Sequence, residues 1–165
     1  FFFFYGQTGL KYDGGKQMIF CGYPCIGKSR LCKEDSKFIE LDCNKRDRSD
    51  PKWCEAYGDE ALALSRQGKT VFVSMHRALR NYLQQVAPKE YALLVPKPEL
   101  KETWITHLKH RADTTKLPKD AKALDCCSKW YDDDMKEYKL AEQNGIRVIW
   151  LDDFISADLI NSLSK

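Results

Sequence analysis

The most specific chemistry in this chain lies in one octapeptide, Gly22-Tyr23-Pro24-Cys25-Ile26-Gly27-Lys28-Ser29. It follows the apolar run Met18-Ile19-Phe20-Cys21 and opens into Arg30-Leu31-Cys32-Lys33. The order is strand, glycine-bounded loop, lysine, hydroxyl, helix. In the spacing G-x-x-x-x-G-K-[ST] the two glycines let the backbone curl until consecutive N–H groups face an anion. The helix that follows adds its unpaired N–H groups and the positive end of its dipole. Such a nest suits a chain of phosphates. Lys28 is placed to bring a point charge to the outer phosphates, and Ser29 to offer its hydroxyl to Mg²⁺. Gly22, Cys25, Ile26, Gly27, Lys28, Ser29 and Arg30 are therefore the expected phosphate-binding residues. Pro24 fixes one φ angle and contributes no N–H.

A second group of residues is expected at the same edge of the molecule. Asp42 ends the run Phe38-Ile39-Glu40-Leu41-Asp42, where it either orients or deprotonates an attacking group, holds Mg²⁺ through water, or merely caps a turn. His76 follows Val73-Ser74-Met75, either against a substrate or as a packed or capping histidine. Arginines count because a planar guanidinium grips phosphate through two hydrogen bonds. Arg46 and Arg48 follow Asp42, Arg77 and Arg80 follow His76, and Arg111 enters a polar stretch. Asp42, Arg46, His76 and Arg80 are the expected acceptor-binding residues, and Lys28, Asp42 and Arg111 the catalytic ones. Asp132-Asp133-Asp134 would point in three directions on a helix, which reads as a solvated acidic face. Trp130, Tyr131 and Tyr138 either pack that helix or stack a base, with packing the first reading. Trp53 and Tyr57 serve either the core or a stacked ring.

The elements that must position these groups follow from the apolar pattern. Strands are expected at 18–21, 38–42, 70–74, 91–95 and 146–151. Helices are expected from about 28, over 51–67, from 77 to about 85, over 100–109, over 121–144 with a break near Cys126-Cys127, and within 152–164. Asp50 and Pro51 supply a helix start, and Gly68 and Gly145 supply stops. Residues 111–120 lose periodicity and read as a polar loop or lid. Five short apolar strands alternating with helices give an α/β fold, a mainly parallel five-stranded sheet in a three-layer α/β/α sandwich. Right-handed crossovers gather the strand-to-helix loops at one edge, where ligands of such sheets sit.

Composition narrows the class. The 165 residues suffice for one domain with a real core, expected over 18–165. Residues 1–17 are expected to be an extension of trimmed or expression-derived origin, with turns at Gly6, Gly9, Gly14 and Gly15. The net charge of +3 suits an anion site better than a nucleic-acid coat. No apolar run approaches a membrane span. Seven cysteines form no pair of C-x-x-C motifs, which argues against a zinc ribbon and for free thiols in the cytoplasm.

Taken together, Gly22 to Ser29 (a Walker A motif), the Leu41-Asp42 strand end, Phe72-Val73-Ser74-Met75-His76-Arg77, Leu100-Lys101-Glu102-Thr103-Trp104-Ile105, Lys109-His110-Arg111 and Trp130 make the chain resemble a P-loop nucleoside or nucleotide kinase. The small nucleotide kinase-like proteins of bacteriophages are the nearest in kind. The likeness spans about 18–155, and only the Walker A part is highly specific. The resemblance implies a P-loop NTPase fold, ATP with Mg²⁺, an arginine-bearing lid near 109–120, and a small nucleotide as acceptor, foremost a (deoxy)nucleoside monophosphate. The third strand ends without the usual Walker B acid. In this the chain is similar to polynucleotide kinases, in which an Asp after the second strand activates a hydroxyl. A kinase acting on the hydroxyl of a nucleoside, a polynucleotide 5′ end or a metabolite is therefore the enzymatic alternative. A non-catalytic ATP-binding switch or assembly factor is the other.

Overall fold

The computed structural model describes residues 18–164. The turns expected at 6–17 lie outside the described residues. The elements are β1 (Ile19–Gly22), α1 (Lys28–Glu34), β2 (Phe38–Glu40), α2 (Trp53–Arg66), β3 (Thr70–Val73), α3 (Arg77–Val86), β4 (Tyr91–Pro96), α4 (Lys101–Thr115), α5 (Pro118–Gln143), β5 (Val148–Leu151) and α6 (Ala157–Leu163). Two short 3-10 turns, Cys43–Lys45 and Pro98–Leu100, complete the set.

The strands form one all-parallel sheet in the order β2-β3-β1-β4-β5. β1, β3 and β4 are buried at every residue, which is why they read as unbroken apolar runs instead of alternating ones. The edge strands β2 and β5 are only partly covered. The chain leaves β1 toward β2 in one direction and then crosses back through β3, β4 and β5 in the other. With right-handed crossovers this separates α1 from α2 and α3 on opposite faces, compatible with a three-layer sandwich. The core beneath them holds Phe20 stacked on Phe72 at 5.9 Å, with Phe38 against Phe72 and the buried Tyr57, Tyr91, Trp104 and Tyr131 around it.

Three expectations are corrected. The stretch 111–120 is not a loop. α4 runs to Thr115, Lys116 takes the left-handed cap conformation (φ 56°), and Pro118 opens α5, so α4 and α5 form a helical hairpin with a two-residue turn. The second strand stops at Glu40, because Asp42 caps the 3-10 turn that follows by accepting from the Asn44 N–H at 2.9 Å. Finally, α5 passes through Cys126-Cys127 without a break; its 26 residues reach about 39 Å.

Candidate active site

Between β1 and α1 the chain makes the turn that its glycines demand. Cys25 (φ 67°) and Gly27 (φ 102°) both adopt left-handed backbone, and α1 begins at Lys28. Among the described residues, the N–H groups of Cys25, Ile26 and Gly27 donate to no backbone carbonyl. The first N–H groups of α1 are unpaired by helix geometry. The loop is pinned from outside instead. Tyr23 N–H donates to Leu94 O, the Ile155 N–H donates to Ile26 O, and the Trp104 indole N–H donates to Pro24 O at 3.1 Å. Arg30 reaches Ile155 O at 2.9 Å, so the segment after β5 walls the loop on one side.

The Lys28 side chain folds back over its own loop. Its ammonium donates to Gly22 O at 3.1 Å and Tyr23 O at 3.2 Å. Burial lowers its pKa, the Glu40 carboxylate opposes that, and the nearby Arg111 adds to it. Gly22 is what makes the fold-back possible, since a Cβ there would stand 2.8 Å from Lys28 Cδ. Ser29 donates to Glu40 Oε2 at 2.9 Å.

These groups open onto a cleft of about 730 Å³ at the carboxyl edge of the sheet. All seven expected phosphate-binding residues line it, as do Asp42, His76, Arg80 and Arg111. Arg111 is held by the buried Asp120, whose Oδ1 accepts from Arg111 Nε at 3.0 Å and whose Oδ2 accepts from Thr115 Oγ1 at 2.6 Å. Arg111 also faces the Cys25 thiol; burial raises that thiol's pKa and Arg111 works against the rise. Arg80 is fixed twice, donating from Nε to Met75 O and from Nη2 to Glu137 Oε1 at 2.9 Å. Arg77 takes the other oxygen of Glu137 at 2.8 Å.

His76 stands at the mouth of α3 with its ring edge-on to Trp53 at 5.1 Å and Nε2 3.4 Å from Arg48 Nη2. Burial, then Arg48 and Lys122, lower its pKa. Arg46 is not among the residues lining the cleft. It is ion-paired with Glu60 and lies over the Tyr57 ring at 4.8 Å. Trp53 and Tyr57 stack on each other outside the cleft, and the Tyr57 hydroxyl ties the ends of β2 and β3 by donating to Leu41 O and accepting from Ser74 N–H.

Four cleft residues escaped the sequence reading. Glu40 was passed over for Asp42, although its place two residues after the buried Phe38 puts both on one face of β2. Asp120 sits in a polar stretch with no local mark, and Asp134 belongs to the acidic triplet read as a solvated face, yet it lines the cleft. Trp130, read as a packing residue, is 48 % exposed and lines the cleft.

Among the described residues no three or more His, Cys, Asp or Glu side chains gather as a metal site. The Ser29 hydroxyl and Glu40 carboxylate are nevertheless hard oxygen donors of the kind Mg²⁺ takes, in small number, beside phosphate oxygens and water. Among the described residues no helix is long and apolar enough to cross a membrane. No family model matches the chain, and neither a curated protein nor a solved structure matches it.

Proposed function

We propose that the chain is a kinase of the P-loop NTPase class, moving the γ-phosphoryl group of ATP to a small acceptor in the same cleft. The observation that carries this reading is the Lys28 ammonium drawn onto the Gly22 and Tyr23 carbonyls, above a loop whose amides find no backbone partner. In this reading the ammonium and those amides turn to the phosphate chain. Ser29 and Glu40 would hold Mg²⁺, which supplies charge compensation between the phosphates. Arg111, kept in place by Asp120, covers the transferring group.

The reaction forms a bond from the acceptor oxygen to phosphorus and breaks the bond to the bridging oxygen. Negative charge grows on the leaving diphosphate, where Lys28 and the loop N–H groups meet it. Positioning and charge compensation supply most of such catalysis. A (deoxy)nucleoside monophosphate as acceptor needs no base. A hydroxyl acceptor does, and Asp42, with Oδ1 accepting from Asn44 N–H, keeps a second carboxylate oxygen for the proton. One observation favours the hydroxyl version: Arg46, Arg77 and Arg80 each already sit on a carboxylate. All seven cysteines are free thiols, which supports a cytoplasmic setting.

Lys28→Ala tests the scheme. The variant is expected to keep its fold, to bind Mg-ATP about ten- to a hundredfold more weakly by calorimetry, and to lose turnover by about two orders of magnitude or more in an ADP-release screen of nucleosides and monophosphates. Unchanged Mg-ATP affinity in that variant overturns the reading.

A further inference from the structure

Away from Ser29 and Glu40, the cleft ends against α5. Asp134, Glu137 and Tyr138 form its wall, Arg80 closes one side, and Tyr23 and Ser74 lie beneath. Glu137 is fully engaged by Arg77 and Arg80. Asp134 sits three residues earlier, on the same face of the helix. It is half-buried, and among the described residues it joins no ion pair and accepts no hydrogen bond. Burial, and then the charge of Glu137, raise its pKa. An unpaired carboxylate placed beside a second carboxylate costs stability. Arg80 and Arg77 lie close enough to offset part of that cost, although both are ion-paired with Glu137 instead.

A second observation points the same way. Tyr23 is 1 % exposed, yet its hydroxyl, pressed against the Cys127 thiol, has no hydrogen-bond partner of normal geometry. The Ser74 hydroxyl is likewise buried without one. The Asp134 carboxylate thus lines the cleft without an ion-pair partner among the described residues, above a Tyr23 hydroxyl that is sealed in the floor and equally unsatisfied, while the Ser74 hydroxyl lies toward Tyr57. That end also offers one flat surface, the exposed indole of Trp130.

We propose that Asp134 selects the acceptor, its carboxylate taking a hydrogen bond from an exocyclic amino group on a neutral planar ring. With that contact made, the ring of an acceptor that carries phosphate lies innermost. The inference rests on the phosphotransferase reading for which end of the cleft faces the triphosphate.

The test is calorimetric binding of three nucleoside pairs that differ by replacement of one amino group with hydrogen. The pairs are adenosine and purine riboside, guanosine and inosine, and cytidine and 2-pyrimidinone riboside. The intact chain is expected to bind the amino member of at least one pair about tenfold or more tightly, the usual worth of a hydrogen bond to a charged group. In Asp134→Asn and Asp134→Leu that ratio falls toward one, and both variants melt no lower than the parent, because an unpaired buried charge has been removed. Equal binding within every pair, no binding of any of the six, a ratio that survives in Asp134→Asn, or a lowered melting temperature in both variants overturns the proposal. Failure of the kinase reading shows elsewhere, as Mg-ATP affinity indifferent to Lys28→Ala while the nucleoside ratios stand.

Discussion

Replacing Gly22 with alanine isolates the part of the loop that the rest of the site depends on. Gly22 does not have a positive φ, so the substitution strains no backbone angle, and only the added carbon counts. That carbon would stand 2.8 Å from Lys28 Cδ, 2.9 Å from Ile26 Cδ1 and 3.3 Å from Lys28 Nζ. Ile26 is fully buried and cannot yield, whereas the lysine stem can. The ammonium is therefore expected to leave the Gly22 and Tyr23 carbonyls. Overpacking of this kind costs about 1–3 kcal/mol. The displaced ammonium can turn into the open cleft and rehydrate there, so its two bonds add little. A net loss of about 2–3 kcal/mol lowers the melting temperature by about 4–12 °C in a chain of this size. Mg-ATP loses one charge-assisted contact, worth about ten- to a hundredfold in Kd. The assay is thermal melting together with calorimetry. Gly145→Ala is the control. Gly145 has φ +89° and nothing within 4 Å of its would-be Cβ, so alanine there costs about 1–2 kcal/mol of left-handed strain and leaves Mg-ATP binding alone. Normal affinity in Gly22→Ala, or equal losses in both variants, would refute the reasoning.

Two further outcomes follow from the charges around the cleft. Asp120→Asn removes the anion under Arg111 while leaving Thr115 a hydrogen-bond partner. Breaking a buried pair from one side costs about 3–5 kcal/mol, and the partial exposure of Arg111 brings the expected loss to the lower end; urea unfolding checks it, and turnover should fall with it because Arg111 is no longer aimed. His76 titrates below the usual imidazole value of 6.5 because of its burial and the charges of Arg48 and Lys122. Above that value both folded and unfolded chains hold the ring neutral. As pH falls through 6.5 the unfolded chain binds the proton first, so stability declines until the folded ring also titrates. His76→Gln should flatten this part of the urea-midpoint profile between pH 7.5 and 5, and an unchanged slope would remove His76 as its source.

How much of this was legible in the sequence depended on how local the cause was. The loop after β1 is set by glycines, a lysine and a serine within eight residues, and the five expected strands overlap β1 to β5, best for the buried β1, β3 and β4, because buried parallel strands advertise themselves as apolar runs. The stretch 111–120 misled for a physical reason. Beyond the buried Leu108, α4 is solvent-exposed nearly all round, so it carries no apolar stripe. Its end is marked by a left-handed lysine where a glycine would have signalled the stop. Glu40 ends the short edge strand and Asp42 lies two residues beyond it, and only the 3-10 turn that Asp42 caps decides which of them reaches Ser29.

The inner end of the cleft is of another kind. Its members come from the loop after β1, the ends of β3 and α3, and the middle of α5, and Arg77 meets Glu137 across sixty positions of chain. Helical geometry alone correctly sends Asp132, Asp133 and Asp134 three ways. It is the docking of α5 against α3, through Glu137 and its two arginines, that turns one of those ways into the cleft. Asp132 instead pairs with Lys101 on the hairpin's other helix at 2.6 Å. One acidic triplet thus divides between a surface ion pair, a solvated side chain and an unpaired carboxylate in the cleft. The consequence for chemistry is an asymmetric site. In the proposed reading the end that would face phosphate is built from backbone amides and cations, and the opposite end presents the Asp134 carboxylate beside an Arg80 already held by Glu137, so an acceptor with one hydrogen-bond-donating end is held in a single orientation.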